Sequence, residues 1–423
     1  MAVMPGAPVN SNVLSFEEAR RVVERQAALI RAGADSAMES VELRSAAGRV
    51  LAEAVVADRD LPPFPRSTRD GYAVRSADLS QLPATLDVIG EIRAGETLEN
   101  IPRNIGVGQT ASIMTGAPVP AGADAVVMVE YSAPRGKQVE ITRSAAAGEN
   151  IVPRGAEAGA RALLFDRGMR LNAAAVALAA SVGKARLKVY KRPRVAVLTT
   201  GDEIVDVSEA PGPTQIRNSN SYSLAAQIEK AGGEAVLLPV APDELPPLRR
   251  LIEEGLKADL LLMTGGVSMG RYDLVEQALG ELHAEFFFTG AKIQPGRPVV
   301  FGKCGGGGQG VYFLGLPGNP VSTMVTFELF ARPMLEALAG QSPSPLQFLH
   351  ARLKKEIRVK TGLKRFLPAI LSGEFENCEV ELVVWQGSGD IAATARANCY
   401  LVIPPSRERI SAGEWVAVMK SDC

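Results

Sequence analysis

Histidine is almost absent from this chain: His283 and His350 are the only two. That excludes a histidine-rich zinc site, so any metal bound here should take oxygen ligands. Cysteine is scarce as well, with Cys304, Cys378, Cys399 and Cys423 and no CxxC spacing. Such thiols read as reduced cysteines of a cytosolic protein. Aromatic residues make up only 5% of the chain, too few for the stacking platforms that hold single-stranded nucleic acid. Neither sign of charge dominates. Lys plus Arg is 46 and Asp plus Glu is 47, a net charge of -1. Bulk electrostatics therefore give no reason to expect nucleic acid or a membrane surface as a partner. No apolar run is long enough to span a bilayer, and Met1 to Ser15 has neither a basic nor an apolar leader region. A cytoplasmic protein is the expectation.

What is present points to several cores. The chain has 423 residues and is 46% hydrophobic, which suits about three domains. Its organising stretch runs from Asp259 to Glu276. An apolar run, Leu260 to Met263, reads as a buried parallel strand. It stops at Thr264-Gly265-Gly266, where glycines let the backbone turn sharply and approach a ligand. Ser268, Gly270 and Asp273 follow as a helix is expected to begin. Backbone N–H groups at such a turn suit an anion, and a nearby carboxylate suits a hard cation such as Mg²⁺ bridging to phosphate.

Around that stretch, Ser15-Phe-Glu-Glu18 reads as a capping box. Phe16, Ala19, Val23, Ala27 and Ile30 then recur at helical spacing. A short helix and a strand are expected over Val41 to Val56. Asp70-Gly71 turns the chain into a strand led by Tyr72, and residues 75 to 145 read as β-rich. Arg154 lies on an exposed loop. Leu171 to Val182 reads as an Ala-rich helix. From Lys191 strands alternate with helices, which predicts a mostly parallel sheet covered on both faces. One long helix is expected from Leu316-Pro317-Gly318-Asn319 to about Leu338. Loops after the strands place Asp202, Glu203, Asp243, Ser268, Asp273 and Ser322 at one edge, where ligands bind in open α/β sheets. Acids gathered there repel one another without a cation. After Ser342-Pro-Ser-Pro345 the strands form a small all-β domain.

The chain resembles the molybdopterin molybdenumtransferase family, called MoeA in bacteria and present as the E domain of gephyrin-like proteins. The resemblance rests on Arg69-Asp-Gly-Tyr-Ala-Val74, Ile113-Met-Thr-Gly-Ala-Pro-Val-Pro120, Gly148-Glu-Asn-Ile-Val-Pro-Arg-Gly155, Thr200-Gly-Asp-Glu203, Thr264-Gly-Gly-Val-Ser-Met-Gly270, Pro295-Gly-Arg-Pro298, Leu316-Pro-Gly-Asn-Pro320 and Gln386-Gly-Ser388. Each motif is weak alone; the ordered set, spanning nearly the whole chain, is specific. It implies a multidomain α/β protein. A helical linker domain (1–56 and 150–188) would carry a β-rich insertion (57–149). A MogA-like doubly wound, mostly parallel sheet domain would cover 189–340, and a small C-terminal β-barrel domain 345–423. It further implies a homodimer whose active site lies between the α/β domain of one subunit and parts of the other. The implied reaction takes adenylylated molybdopterin and molybdate, with Mg²⁺, and releases AMP. Implied catalytic positions are Asp70, Thr115, Glu203, Asp243 and Asp273, the last three also as metal ligands. Implied substrate-binding positions are Gly265, Gly266, Ser268, Pro317, Gly318, Asn319, Ser322, Arg154, Arg297, Arg365 and Ser388. The upstream molybdopterin adenylyltransferase and molybdoenzyme apoproteins are the expected protein partners.

The chain also departs from the family pattern. Gln294 stands where many members carry a lysine before Pro-Gly. The lysine a few residues earlier is missing near Gly290 or Ala291, and Lys292 is out of register. Arg66-Ser-Thr-Arg69 replaces the usual Asn-Ser-Ala-Met. Arg297, whose planar fork can hold two oxygens of a tetrahedral anion, is the expected replacement cation. Two other functions compete: the adenylyltransferase one step earlier, which resembles the α/β part alone, and a non-catalytic gephyrin-like scaffold.

Overall fold

Strands Arg194–Thr199 and Leu260–Thr264 are buried along nearly their whole length, which requires cover on both faces. The structure, a computed structural model, describes residues 12–32, 37–97, 99–266, 274–305 and 310–420. These two strands form the centre of a sheet ordered Glu234–Leu237, Arg194–Thr199, Leu260–Thr264, Val311–Leu316, Val300–Cys304, Glu285–Phe288. The strands from Glu234–Leu237 to Val311–Leu316 run parallel. The last two are antiparallel, so Val300–Cys304 and Val311–Leu316 form a hairpin on a mostly parallel sheet.

Alternation along each strand sends side chains to opposite cores. Val195, Val197, Leu260 and Leu262 pack with Leu224, Ile228, Val321 and Val325 of the helices Asn220–Ala231 and Pro320–Thr326. Ala196, Leu198, Leu261 and Met263 pack with Leu248, Ile252, Val275 and Ala278 of Leu245–Gly255 and Leu274–Glu281. The expected single helix to Leu338 is interrupted. Residues Phe327–Ala331 form a π-turn between Pro320–Thr326 and Arg332–Leu338.

Helix Phe16–Ala32 starts on the expected capping box: the backbone N–H and hydroxyl of Ser15 donate to Glu18 Oε2 at 2.9 and 2.7 Å. Its buried residues Phe16, Ala19 and Val23 join the first α/β core. Phe16 stands 5.3 Å from Phe366 of the C-terminal part and 6.3 Å from Phe330, so this helix ties the two parts together.

The N-terminal region is built from segments on either side of a six-stranded sheet. Met38–Glu42 pairs with Arg186–Tyr190, and Val55–Val56 with Leu163–Phe165. Leu51 and Val55 share a core with Ala175 and Ala179 of helix Ala173–Ser181. The helix expected between Val41 and Val56 is only a 3₁₀ turn, Leu43–Ser45, too short to bury a face of its own. The six-stranded sheet runs Ala125–Met128, Gly71–Val74, Gln109–Ile113, Ala84–Ile92, Gln138–Ile141, Ser132–Arg135.

The C-terminal part is a closed barrel of Lys364–Ser372, Glu379–Leu382, Phe348–Leu353, Trp415–Lys420 and Cys399–Ile403, the last pairing back with the first. Ile293–Gln294 adds to it in parallel, Gln294 opposite Arg365. The loop Gln386 to Asp390 leads into a helix, Ile391–Arg396, that the strand pattern did not indicate. Asp390 caps it, accepting from Ala393 N–H at 2.9 Å.

Candidate functional site

The carboxyl ends of the parallel strands open into a cleft of about 670 Å³. Its walls come from the ends of Arg194–Thr199 and Leu260–Thr264, the loops before helices Asn220–Ala231 and Pro320–Thr326, and Gly389 and Ile391 of the C-terminal part.

The glycine turn is fixed by space as well as by backbone angles. Gly265 and Gly266 have φ of +88° and +61°, and a Cβ on Gly265 would lie 2.2 Å from the Thr200 carbonyl oxygen. Only glycine fits there. Beneath the cleft, buried polar groups tie the loops together. Asn220 Nδ2 donates to Thr264 Oγ1 at 2.9 Å and to the Gly318 carbonyl at 2.7 Å. Thr199 and Ser221 hydroxyls share a bond of 2.8 Å, and Asn218 Nδ2 donates to Ser221 Oγ at 2.9 Å. Thr323 donates to the Pro317 carbonyl. A satisfied buried network of this kind specifies one arrangement of the loops. Asn220 Oδ1 is the exception, a buried acceptor without a partner.

Glu203 and Asp243 both line the cleft. Asp243 Oδ1 accepts from Thr200 Oγ1 at 2.7 Å, and Asp243 N–H donates to Asp202 Oδ1 at 3.1 Å. Gly265, Gly266, Pro317, Gly318 and Asn319 also line it, as expected. Asn319 Nδ2 donates to Ser388 Oγ at 2.9 Å, and Val321 N–H donates to the Ser388 carbonyl at 3.0 Å. The barrel of the same chain thus closes one end of the cleft. Pro298 is in the wall, and Arg297 beside it is exposed. Ser268 and Asp273 lie outside the described residues.

Other expected residues stand elsewhere. Ser322 is 3% exposed inside its helix, its carbonyl taken by Thr326, and does not reach the wall. Arg365 is 6% exposed; its Nη1 donates to the Leu363 carbonyl at 3.2 Å, and no carboxylate among the described residues pairs with it. Burial pushes its pKa down. Asp70 and Thr115 meet each other on the six-stranded sheet. Asp70 Oδ1 accepts from the Thr115 N–H at 2.6 Å and from its hydroxyl at 2.9 Å. These bonds hold the Asp70 carboxyl below its usual range. Arg154 pairs with Asp60 at 2.6 Å. None of these last three lines the cleft of its own chain. Asn218 and Asn220 were not among the expected site residues, and Thr200 stood there only as the first residue of the Thr200-Gly-Asp-Glu203 motif. The signal for the two asparagines was the polar run Asn218-Ser-Asn220 before a helix.

Among the described residues, no group of three or more His, Cys, Asp or Glu is gathered to hold a metal. Glu203 and Asp243, with only oxygen donors beside them, suit Mg²⁺ in kind. No helix among the described residues is long and apolar enough to cross a membrane.

Three family profiles match in chain order: "MoeA N-terminal region (domain I and II)" over residues 14–183, "Probable molybdopterin binding domain" over 196–337, and "MoeA C-terminal region (domain IV)" over 350–420. A molybdopterin molybdenumtransferase of Nostoc sp. is 34% identical over 397 residues, covering 90% of this chain and 88% of the relative. The protein of that name from Haemophilus influenzae is 33% identical over 388 residues, covering 90% and 93%. A crystal structure of the molybdopterin biosynthesis moeA protein from Pyrococcus horikoshii superposes with a TM-score of 0.75 at 28% identity, covering 97% of this chain and 100% of that one. Another crystal structure of a molybdopterin biosynthesis moea protein from Pyrococcus horikoshii gives a TM-score of 0.69 at 32% identity, covering 96% of this chain and 99% of that one.

Proposed function

The chain belongs to the molybdopterin molybdenumtransferase family, and on that premise we propose that it inserts molybdenum from molybdate into adenylylated molybdopterin, with Mg²⁺, and releases AMP. The observation that carries the reading is the shared wall of the cleft. There the Gly265–Gly266 turn stands beside the carboxylates of Glu203 and Asp243. Two helices begin at this wall, and their N-terminal dipoles favour the phosphates of an adenylylated substrate.

Each group has a task in this reading. Gly265, Gly266, Pro317, Gly318 and Asn319 shape the backbone against which the substrate lies. Glu203 and Asp243, with Asp273 and Ser268 from the adjoining stretch, hold Mg²⁺ and orient the phosphates. When bound, Mg²⁺ neutralises charge as the bond to AMP breaks. Arg365 and Arg297 serve the molybdate dianion, with Ser388 as a neutral donor. Arg365 is suited to this because it is a buried guanidinium without a carboxylate partner among the described residues. Asp70, Thr115 and Arg154 stand off the cleft of their own chain, which supports an assembly in which a second subunit brings them to it. The homodimer, the domain limits given above and a cytoplasmic location belong to the same proposal. The matches to the N-terminal and C-terminal regions weigh against the adenylyltransferase alternative, which resembles the α/β part alone.

The test is insertion by the purified protein in adenylylated molybdopterin, molybdate and Mg²⁺, scored by activation of an apo-molybdoenzyme. Asp243→Asn is expected to keep the fold, because the side chain is exposed, and to lose most of the activity. An unchanged rate would remove Asp243 from the site.

A further inference from the structure

Thr200 touches two of the loops that form the cleft, the glycine turn and the loop to Asp243, and has no task in the proposed reaction. It is 3% exposed. Its N–H donates to the Thr264 carbonyl at 3.0 Å, and it forms a parallel bridge with Ala241, two residues before Asp243. Its carbonyl lies under Gly265. Its Cγ2 lies where a Cβ on Gly266 would come within 2.9 Å. Its hydroxyl donates to Asp243 Oδ1 at 2.7 Å.

We propose that Thr200 is a positioning residue, which aims the Asp243 carboxylate and holds it in register with the glycine turn. This rests on the reading of Asp243 as a cation ligand. The two halves of the threonine side chain divide the work. The methyl wedges against the Gly265–Gly266 backbone and fixes χ1, which is stiff in a β-branched residue. With χ1 fixed, the hydroxyl points at one carboxylate oxygen. A hydrogen bond to an ionised oxygen is stronger than a neutral one, so it selects a single rotamer of an otherwise exposed side chain. The Asp243 N–H is held at the same time by Asp202 Oδ1 at 3.1 Å. Backbone and carboxylate are both set before any ligand arrives, and Oδ2 is left for the cation.

A packing role and a positioning role make opposite orders of the same variants. Valine keeps the shape and loses the hydroxyl. Serine keeps the hydroxyl and loses the methyl. The measurement is the dissociation constant of Mn²⁺, used alone as the probe on the full-length protein and read from the free-ion electron paramagnetic resonance signal. Melting curves check the fold. Partners that orient a metal ligand are typically worth 10- to 100-fold in affinity, so Thr200→Val is expected to weaken Mn²⁺ by about tenfold. Thr200→Ser is expected to stay within about threefold of wild type, since a serine hydroxyl forms the same bond with one more accessible rotamer. In Asp243→Ala, adding Thr200→Val is expected to cost nothing more. If valine does not fold, Thr200→Ala replaces it against serine. Thr200→Val (or the alanine) binding like wild type while Asp243→Ala is weakened would overturn the inference alone, as would serine losing as much as valine. A wild type that binds no Mn²⁺, or Asp243→Ala that binds it like wild type, would instead overturn the reading of Asp243, and the inference with it.

Discussion

Arg365 is a guanidinium in a place where charge is costly, and among the described residues no carboxylate pairs with it. A bound oxyanion would offset that cost. Gln294 is its register partner on the barrel, and the chain then runs through Arg297 to Pro298 in the cleft wall. An opposite charge at contact range contributes only about 1 kcal/mol in water, but more in a partly dry cleft. Arg297→Ala should therefore raise the molybdate concentration for half-maximal insertion several-fold, while Gln294→Lys lowers it or leaves it level. An unchanged value in a folded Arg297→Ala protein would show that Arg297 only packs its loop. Cysteine chemistry gives a second residue-scale expectation. Burial pushes the thiol of Cys304 up to about 11 and that of Cys399 to about 12, from an ordinary 9.0. Both should resist iodoacetamide at about pH 8 in the native protein. The folded state favours the protonated thiols, so their contribution is fully present below pH 9 and is lost as pH rises through about 11 for Cys304 and about 12 for Cys399. Thermal melts across that range should show stability falling; a flat profile would mean that the thiols open to solvent first.

At the scale of elements, strands and helices with strong local signals were legible. Leu260–Thr264 announced itself through the apolar run Leu260 to Met263, and helix Phe16–Ala32 through the helical spacing of Phe16, Ala19, Val23, Ala27 and Ile30. The capping box at Ser15 was readable because all of its partners lie within one turn. Other features depend on distant partners. The edge strand Glu285–Phe288 depends on its antiparallel pairing with Val300–Cys304, which alternation cannot reveal. Helix Ile391–Arg396 has only six residues and stands by its Asp390 cap and its packing. The bond from Thr200 to Asp243 spans 43 residues, so no local pattern contains it. Asp70 and Thr115 were named from motifs, but that they meet each other needed the sheet. The glycine turn is the most sensitive element. Gly265→Ala would place a Cβ 2.2 Å from the Thr200 carbonyl at a φ of +88°. The left-handed conformation alone costs about 1 kcal/mol or more, and the overlap adds to it. The variant should melt several degrees lower and lose substrate binding. A wild-type melting temperature would mean that the turn can relax freely.

For the molecule as a whole, the cleft joins the α/β sheet to the barrel of the same chain through Asn319 and Ser388. The Asp70–Thr115 pair sits on a separate sheet and lines no part of that cleft. If a second subunit supplies it, inactive Asp70→Ala and Asp243→Ala proteins, mixed and allowed to exchange subunits, should regain activity through dimers with one intact site. No recovery from demonstrated mixed dimers would place all the groups on one chain. The central claim is the reaction itself. Its most direct measurement is a single turnover of the purified protein with adenylylated molybdopterin, following AMP and molybdenum-loaded cofactor together. AMP is expected to appear only with molybdate and Mg²⁺, one for each cofactor that activates an apo-enzyme. AMP release that ignores molybdate, or consumption of ATP with free molybdopterin in its place, would contradict the account.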